Sequence, residues 1–278
     1  MNQTVLITGC SSGFGKLTAQ TFHREGWKVA ATMRSPENET ELADGDRMQV
    51  LKLDVTDRAS VAAAFAATRS RFDRGDAVVN TAGYGGHGLF EQTGDDDVRA
   101  MFETNVFGSM NVMREALPEM RAAGGGVIVN VTSMAGHLGL PGNAVYTASK
   151  HAMIGLTEAM ALEYKPLGVR IYSVAPGVYP TTRFGANTGD WIEEGDNQLV
   201  DLSKRLRAQL LAVAEQMATR GGSVADSQEV ADRVLRCVTG EAPIHNPTGS
   251  DAEMLIQMMG QDKRQAFLDQ LDAMLVPR

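Results

Sequence analysis

The sequence predicts an α/β fold in which a doubly wound parallel β-sheet is covered by helices on both faces. Three observations predict it: short runs rich in β-branched residues, longer helical segments, and their regular alternation through most of the 278 residues. The run V-I-V-N-V at 127–131 is apolar without strict alternation, which is typical of a strand buried on both faces. Repeated strand–helix–strand units give a parallel sheet with right-handed crossovers, the Rossmann arrangement.

The predicted elements follow one another without a linker, so we expect a single domain over 1–278 with a core at 1–175. Strands are predicted at 5–8, 28–33, 48–53, 77–80, 126–132 and 169–174, and helices at 13–24, 60–71, 95–122 and 146–165. Two regions break the alternation: an insertion at 176–227, with a helical stretch near 199–217, and an amphipathic helical tail at 250–278. An insertion of this length after a strand is typical of a binding segment.

Composition and charge exclude several classes of protein. The chain carries 26 Lys and Arg against 34 Asp and Glu, a net charge of −8, and it has no basic runs. It therefore lacks the electrostatic footprint of a protein that binds nucleic acid or an anionic membrane. Two cysteines are too few for a disulfide framework, and the five histidines lack metal-ligand spacing. Since no signal peptide and no bilayer-spanning apolar run is visible, we expect a cytoplasmic protein without a metal.

A glycine-rich turn joins the first predicted strand to the first predicted helix. Residues 8–15 read T-G-C-S-S-G-F-G. Glycines in such a turn let the backbone approach a pyrophosphate, and the helix N-terminus offers free N–H groups and a positive dipole end. A tight strand–helix turn without a ligand is the competing interpretation, but the flanking strand and helix are the context that a phosphate-binding turn requires.

The order of motifs along the chain resembles that of the classical short-chain dehydrogenases/reductases. The pattern of that family is T-G-x-x-x-G-x-G, then N-N-A-G after the fourth strand, then Ser and Tyr-x-x-x-Lys. This chain has T-G-C-S-S-G-F-G at 8–15, then N-T-A-G at 80–83, then Ser133, and then Y-T-A-S-K at 146–150. Thr81 replaces the second Asn, which we expect to leave the turn intact. Further matching positions are Asp54, Val55, Asn105, Pro176 and Gly177.

The resemblance implies a nicotinamide cofactor bound along the carboxyl ends of the predicted strands. In the family, the glycine turn holds the pyrophosphate, the residue matched by Asp54 reaches the adenine, and the one matched by Thr181 contacts the nicotinamide carboxamide. The residues expected to bind the cofactor are Gly9, Ser11, Ser12, Gly13, Phe14, Gly15, Arg34, Asp54, Val55, Asn80, Ala82, Gly83, Tyr146, Lys150, Pro176, Gly177 and Thr181.

The end of the second predicted strand indicates which cofactor is preferred. Relatives that prefer NAD carry an acidic residue where this chain has Met33, and Arg34 follows directly. A guanidinium suits a 2′-phosphate through its charge and bidentate geometry, whereas a carboxylate would repel it. The resemblance therefore implies NADP(H) rather than NAD(H), with a solvated surface arginine as the competing interpretation. Glu37 and Glu39 follow Pro36 and are expected to begin the next segment.

Tyr146 and Lys150 are the predicted centre of the chemistry. They are four residues apart in a predicted helix, so their side chains share one face. A tyrosine has an ordinary pKa of about 10, and a nearby ammonium favours the phenolate, so we expect the pKa of Tyr146 to be lowered. The resemblance implies that Ser133 holds the substrate oxygen and that Tyr146 transfers the proton. It further implies that Lys150 binds the ribose and that Asn105 holds a water linking Lys150 to solvent.

The substrate site is expected to draw on three segments: after Gly83, after Ser133 and after Gly177. The residues expected to bind substrate are Ser133, His137, Asn143, Tyr146, Tyr179 and Phe184, and further candidates for the pocket wall are Tyr84, His87, Met134, Leu138 and Trp191. They are largely apolar, which suits a moderately lipophilic ketone or secondary alcohol. The overall layout resembles branches of the family that act on steroids, retinoids and assorted carbonyls.

The resemblance implies an NADP(H)-dependent carbonyl reductase or alcohol dehydrogenase that forms a homodimer or homotetramer. The expected contact surfaces are the outer faces of the helices near 98–122 and 146–166. One alternative is an NADP(H)-binding sensor of the same fold without turnover, although such proteins commonly lose the tyrosine or the lysine. An extended-type epimerase or dehydratase is opposed by the glycine spacing and the chain length. A purely structural domain would need no such set of residues.

Overall fold

The computed structural model describes residues 3–42, 44–179, 188–220 and 226–259. The strands are β1 Thr4–Ile7, β2 Lys28–Met33, β3 Met48–Lys52, β4 Ala77–Asn80, β5 Gly86–His87, β6 Gly126–Val131, β7 Val169–Pro176, β8 Gly189–Asp190 and β9 His245–Thr248. The helices are α1 Gly13–Arg24, α2 Arg58–Phe72, α3 Asp95–Phe102, α4 Ser109–Ala122, α5 Ala144–Tyr164, α6 Asn197–Arg220, α7 Gln228–Thr239 and α8 Ser250–Met258. A π-helical segment, Glu103–Gly108, joins α3 to α4.

Seven of the strands form one parallel sheet in the order β3-β2-β1-β4-β6-β7-β9. From β1 the chain winds outward to β3 and then returns to pair β4 on the other side of β1. The register places Ile7 opposite both Ala31 and Val79. Strand order reverses at β1 and β4, and in open α/β sheets the crevice at such a switch point binds ligands. The predicted doubly wound α/β fold is confirmed.

Each face of the sheet carries its own hydrophobic core. Side chains of successive strand residues point to opposite faces. Val5 and Ile7 therefore join one cluster, together with Trp27 of the turn after α1. Leu6 joins the other cluster, with Met113 of α4. Helices α1 and α7 cover the first face, and α2, α4 and α5 cover the second. This burial on both faces explains the apolar strands that the sequence shows.

Most predicted elements lie where they were expected. The helix at 13–24 has the predicted bounds, and the helical stretch near 199–217 is found within α6. The prediction of one continuous helix over 95–122 is wrong at Glu103–Gly108, where the backbone widens into a π-helix. Such π-segments are frequent at functional sites because they re-aim a side chain. Of the predicted tail, α8 is described and 260–278 lie outside the described residues.

The sequence did not predict β5, β8, α7 or β9. Strand β9, with the sequence H-N-P-T, forms the edge of the sheet beyond β7. A proline lacks the N–H that a central strand needs, so Pro247 is tolerated only because β9 is an edge strand. Among the helices of the described part of the chain, none is long and apolar enough to cross a membrane.

Candidate active site

The turn after β1 is shaped by three glycines that a side chain would disrupt. Gly9 and Gly13 have φ values of +71° and +55°, which favour glycine. A Cβ at Gly15 would lie 2.3 Å from the carbonyl oxygen of Gly9, and one at Gly9 would lie 2.9 Å from Cα of Ala82. The backbone of this turn therefore packs directly on the backbone of the turn after β4.

The start of α1 has the properties of an anion site. The N-cap residue Ser12 makes no side-chain capping hydrogen bond, and the first turn of α1 has no acidic residue. The free N–H groups and the positive end of the helix dipole therefore favour a bound phosphate. Cys10 of the same turn is buried, donates to the carbonyl of Ile7 at 3.2 Å, and has its pKa raised by burial to about 12. Its thiol is structural, and the turn fits a pyrophosphate.

The replacement of the second Asn by Thr81 leaves the turn after β4 closely tied to β1. The hydroxyl of Thr81 donates to the carbonyl of Thr8. In return, Oγ1 of Thr8 accepts from the N–H groups of Thr81 and Ala82, both at 3.1 Å. Asn80 points the other way and donates to Oδ1 of Asn130 at 2.9 Å. Asn80 therefore supports the strand end, whereas Ala82 lies against Gly9.

Arg34 is exposed at the end of β2 and has no ion-pair partner among the residues that the structure describes. The nearby carboxylate of Glu39 is already engaged. Its Oε1 accepts from Nζ of Lys16 at 3.1 Å and from the N–H groups of Glu41 and Leu42 at 2.7 and 3.0 Å. Lys16 also pairs with Glu41 at 3.1 Å. Arg34 is thus the free charge at this strand end.

Asp54 and Val55 follow β3 at the same edge of the sheet. Oδ1 of Asp54 accepts from the N–H and the hydroxyl of Thr56 at 3.0 and 2.8 Å. Val55 packs on Gly108, where a Cβ would lie 2.5 Å from its Cγ2. Asn111, a second asparagine six residues after Asn105, donates to the carbonyl of Val55 at 3.1 Å. The structure therefore engages Asn111 in this loop rather than with Lys150.

Ser133, Tyr146 and Lys150 come together at the carboxyl end of β6 and the start of α5. The Tyr146 side chain is 8% exposed and shares a hydrogen bond with the side chain of Ser133. The backbone N–H of Ala135 donates to Oγ of Ser133 at 3.1 Å, which fixes the serine. Nζ of Lys150 lies 5.7 Å from the centroid of the Tyr146 ring and donates to the carbonyl of Val131 at 3.3 Å. The predicted catalytic group is assembled as one cluster, in which Tyr146 and Lys150 are buried and Ser133 is half-buried.

Burial sets the protonation of this cluster. It raises the pKa of Tyr146 to about 12, with the Ser133 hydrogen bond acting in the opposite direction. It also lowers the pKa of Lys150 to about 8. The expected lowering of the Tyr146 pKa is therefore wrong for this structure, because desolvation of the buried phenolate outweighs the hydrogen bond with Ser133. At neutral pH the phenol keeps its proton.

Asn105 lies in the π-helical segment and is clamped by the turn after β4. Its Oδ1 accepts from the N–H of Tyr84 at 3.0 Å, and its Nδ2 donates to the carbonyl of Tyr84 at 2.9 Å and to Oγ of Ser149 at 3.1 Å. A Cβ at Gly83 would lie 2.9 Å from Oδ1 of Asn105 and 3.6 Å from Nζ of Lys150. Gly83 therefore keeps open the space where the asparagine and the lysine converge.

The loop after β7 is held by the start of the predicted tail. The N–H of Gly177 donates to the carbonyl of Thr248 at 2.9 Å, and the N–H of Val178 donates to Oδ2 of Asp251 at 2.8 Å. A Cβ at Gly177 would lie 2.0 Å from Oδ1 of Asp251. Asp251 was missed by the sequence reasoning, since it lies 73 residues from Val178 and no local pattern marks it.

Several predicted substrate residues do not join the catalytic cluster. The His137 ring packs edge-on against His245 with centroids 5.1 Å apart, and burial lowers its pKa to about 4. The Tyr179 ring lies 5.4 Å from that of Phe14, and its hydroxyl donates to Oε2 of Glu229 at 3.2 Å. Asn143 is buried directly before α5. Phe184, the remaining predicted substrate residue, and Thr181, the predicted contact of the nicotinamide carboxamide, lie outside the described residues.

Two other candidates for the pocket wall, Tyr84 and Trp191, do pack near Tyr146. Tyr146 belongs to a hydrophobic cluster, against which Tyr84, Leu140 and Trp191 pack. The other buried members of the cluster are Met101, Ala135 and Val145. Met134 and Leu138 lie in a separate cluster with residues of α8. Aromatic and aliphatic side chains therefore border the hydrophobic cluster that contains Tyr146.

A glycine turn at the switch point of a parallel sheet, with a Ser–Tyr–Lys group beside it, defines a dinucleotide-dependent oxidoreductase. A family model described as short chain dehydrogenase matches residues 3–193, more than half of the chain. The chain belongs to the short-chain dehydrogenase family, and the resemblance seen in the motifs is confirmed. Members of this family use a nicotinamide cofactor.

Similar proteins cover most of the chain. The oxidoreductase YusZ of Bacillus subtilis is 32% identical over 86% of this chain and 86% of its own. A 3-ketodihydrosphingosine reductase of Bacteroides thetaiotaomicron is 38% identical over 64% of this chain and 65% of its own. The solved structure of a short-chain dehydrogenase from Streptomyces avermitilis is 31% identical, with a TM-score of 0.82 over 98% of this chain and 97% of its own.

Proposed function

We propose that this protein is an NADP(H)-dependent reductase of ketones or aldehydes, with Tyr146 as the proton donor. The observation that carries the proposal is the hydrogen bond between Ser133 and the buried Tyr146, whose phenol is protonated at neutral pH because burial raises its pKa to about 12. A protonated phenol is the form that reduction of a carbonyl requires. The reverse oxidation of a secondary alcohol uses the same groups with the proton moving the other way.

The proposed mechanism assigns one task to each side chain. Ser133 donates a hydrogen bond to the carbonyl oxygen and holds it against Tyr146. When bound, the nicotinamide supplies the hydride to the carbonyl carbon in reduction and accepts it in oxidation. Tyr146 gives its phenolic proton to the oxygen as negative charge develops there. The resulting phenolate is stabilised by the ammonium of Lys150, whose Nζ lies 5.7 Å from the ring centroid.

The phenolate must regain a proton before the next turnover. Asn105 and Lys150 converge at Gly83, where a side chain would fill the space between them. We place there the water that connects Lys150 to solvent. Lys150, with a pKa near 8, can release and regain a proton close to neutrality.

Two observations support NADP(H) over NAD(H). Glu39, which could otherwise repel a 2′-phosphate, is neutralised by Lys16 and by two backbone N–H groups. Arg34 remains exposed and unpaired among the described residues, at the strand end where the adenosine ribose is expected. A short chain dehydrogenase from Burkholderia cenocepacia, solved in complex with NADP, is 26% identical with a TM-score of 0.75 over 99% of this chain and 98% of its own.

We propose a moderately lipophilic carbonyl substrate. The described residues that pack on the cluster around Tyr146 include Tyr84, Leu140 and Trp191, which favour an apolar substituent. The relative from Bacteroides thetaiotaomicron is a 3-ketodihydrosphingosine reductase, by its name an enzyme that reduces a keto group.

We propose a homodimer or homotetramer in the cytoplasm, joined through the helices near 98–122 and 146–166. Phe107 is 45% exposed and Leu162 is 68% exposed, and both lie within these segments. Large apolar side chains on the surface favour a buried contact in an oligomer. Sedimentation velocity of the purified protein tests this, and a monomer at micromolar concentration would contradict it.

Steady-state oxidation of NADPH and NADH, measured across ketones and aldehydes of graded size, tests the activity. We expect turnover with NADPH preferred. Faster turnover with NADH would refute the role of Arg34 and leave the catalytic assignment standing. Tight NADPH binding without turnover of any carbonyl would favour the sensor over the enzyme.

A further inference from the structure

The insertion is joined to the loop after β4 by a short ribbon of its own. Strands β5 and β8 pair in parallel, with Gly86 opposite Gly189 and His87 opposite Asp190. The N–H of Trp191 donates to the carbonyl of His87 at 2.9 Å, which extends the ribbon. Two segments far apart in the chain thus form one local structure, which we call the ribbon unit (residues 86–92 and 189–194).

A buried glutamine fixes the ribbon unit. Nε2 of Gln92 donates to the carbonyls of Ile192 and Glu194 at 2.9 and 2.7 Å. Its Oε1 accepts from the N–H of Leu89 at 2.8 Å and from the hydroxyl of Ser203. All four hydrogen-bonding positions of the amide are used. A fully satisfied buried amide rigidifies its surroundings, so this part of the insertion holds one position.

The ribbon unit contains a slot for one indole. A Cβ at Gly86 would lie 1.8 Å from Cζ3 of Trp191, and one at Gly189 would lie 2.7 Å from Cζ2. A Cβ at Gly88 would lie 3.1 Å from Cβ of Trp191. Three glycines from two segments therefore clear the space that the Trp191 side chain occupies. The ring has no room to move toward the ribbon.

The slot is also tied to the catalytic helix. The N–H of Gly88 donates to the carbonyl of Gly142 at 3.0 Å, two residues before α5 begins. Trp191 packs against the hydrophobic cluster that contains Tyr146. The indole is only half-buried, so part of its surface stays open. A rigid, flat, apolar surface thus stands at a fixed place beside the proton donor.

From this geometry, and resting on the reductase activity proposed above, we propose that Trp191 is the specificity-determining residue of the substrate site. Its indole forms the wall against which the larger, apolar substituent of the carbonyl compound lies. A planar ring suits that wall best, since aromatic rings stack on each other in offset or edge-to-face arrangements. Because the three glycines hold the indole, the wall limits how far the substituent can extend. The substrate class is a ketone that carries one planar or compact apolar group.

Steady-state kinetics with ketones of increasing size test whether Trp191 limits the size of the substituent. Trp191→Ala is expected to lower kcat/KM for a one-ring aryl ketone about tenfold and to raise it for a three-ring ketone by a similar factor. Trp191→Phe, which keeps a smaller aromatic ring, is expected to show a size preference between those of wild type and Trp191→Ala. The Kd of NADPH, measured by fluorescence titration, should be unchanged in both variants. Unaltered size preference in Trp191→Ala would overturn the proposal.

A pair of glycine substitutions provides a matched control. Gly86→Ala forces the indole out of its slot, because the new Cβ would overlap the ring. It should change the size preference without any change at Trp191 itself. Gly45→Ala adds the same methyl group where nothing lies within 4 Å, so both the size preference and the Kd should match wild type. Equal size preference in the two glycine variants would count against a fixed wall.

Tryptophan fluorescence separates this proposal from the proposed activity. The chain has two tryptophans, and Trp27 is buried in the core. With NADP⁺ present to prevent reduction, an aryl ketone should quench the emission of wild type saturably, and the effect should vanish in Trp191→Phe. Quenching by the ketone, without its reduction when NADPH is supplied, would refute the proposed reductase activity and support the proposed role of Trp191. If the ketone is reduced but does not quench the emission, and Trp191→Ala does not shift the size preference, the proposed role of Trp191 is refuted and the reductase activity stands.

Discussion

The cofactor side and the substrate side of this molecule both use glycines to let other atoms pack closely. On the cofactor side these glycines are close together in the sequence, whereas on the substrate side they come from distant segments. In the glycine turn, Gly9 and Gly15 make room for backbone and Gly13 adopts a positive φ, and because the three lie within seven residues of one another their spacing appears as a motif. In the ribbon unit, Gly86 and Gly189 make room for a side chain and come from distant segments. The glycine turn can therefore be predicted from the sequence, whereas the glycines around Trp191 can be recognised only in the folded structure. The chemistry takes place where the two sides meet.

The largest effect is expected at that meeting point. Tyr146→Phe removes the proposed proton donor but keeps the ring in its hydrophobic cluster. Turnover should fall by about 10²–10⁴-fold, the usual contribution of general acid catalysis, while the Kd of NADPH stays close to wild type. Single-turnover kinetics and fluorescence titration measure the two quantities. A variant with turnover near that of wild type would show that another group donates the proton.

The cofactor side is tested alone by Gly15→Ala. The new Cβ would lie 2.3 Å from the carbonyl oxygen of Gly9, so the backbone must shift. We expect a loss of about 1–3 kcal/mol in stability from overpacking and at least about tenfold weaker NADPH binding. Thermal denaturation and fluorescence titration measure these changes. Gly155→Ala, in an open position of α5, is the control and should stabilise the helix by up to about 1 kcal/mol.

Much of the cofactor side could be predicted because its constraints are local. The bounds of α1, the glycine turn and the positions of Ser133, Tyr146 and Lys150 follow from spacing along the chain. The pKa of Tyr146 could not be predicted in the same way, because burial is a property of the folded surroundings.

Fewer features of the substrate side could be predicted from the sequence. His137 and Tyr179 were expected at the substrate, but their partners are His245 and Glu229, which the sequence places far away. The roles of Gln92 and Asp251 likewise depend on hydrogen bonds between distant segments. No local pattern marks such contacts. Long-range side-chain complementarity, rather than propensity, decides this half of the site.

Lys150 joins the two sides, and its burial predicts a pH dependence of stability. Its folded pKa of about 8 lies below the ordinary value of 10.5, so the unfolded chain binds more protons between these values. The free energy of unfolding of the unliganded protein therefore rises with pH from about 8, by up to about 1.4 kcal/mol per pH unit. Above pH 10 the raised pKa of Tyr146 acts in the opposite direction.

The comparison with Lys150→Met isolates this contribution, because other titrating groups cancel in the difference. At pH 7 the variant should be more stable than wild type, since it buries no charge. Urea midpoints of the two proteins should then converge as the pH rises from 8 to 10. A difference that stays constant with pH would mean that Lys150 is not desolvated.

Arg34 provides a further test of the cofactor side, because it is an exposed arginine among the proposed cofactor contacts. Arg34→Ala should weaken NADPH binding by about 10–100-fold, the value of one charge-assisted contact, and leave NADH binding nearly unchanged. Isothermal titration with both cofactors measures the change in preference. Arg47→Ala, at another exposed arginine, is the control. Equal losses for the two cofactors would show that Arg34 does not contact the 2′-phosphate.

The smallest effect is expected from loosening the substrate side by one hydrogen bond. Ser203 is buried in α6 and donates to Oε1 of Gln92, which also accepts from the N–H of Leu89. Ser203→Ala therefore leaves the amide oxygen with a partner and should cost about 0.5–1.5 kcal/mol of stability. Because Gln92 fixes the ribbon unit, the KM for an aryl ketone should rise a few-fold while the Kd of NADPH stays constant. A parallel change in both constants would mean that the two sides of the site are mechanically coupled, and the division between a local cofactor side and a long-range substrate side would fail.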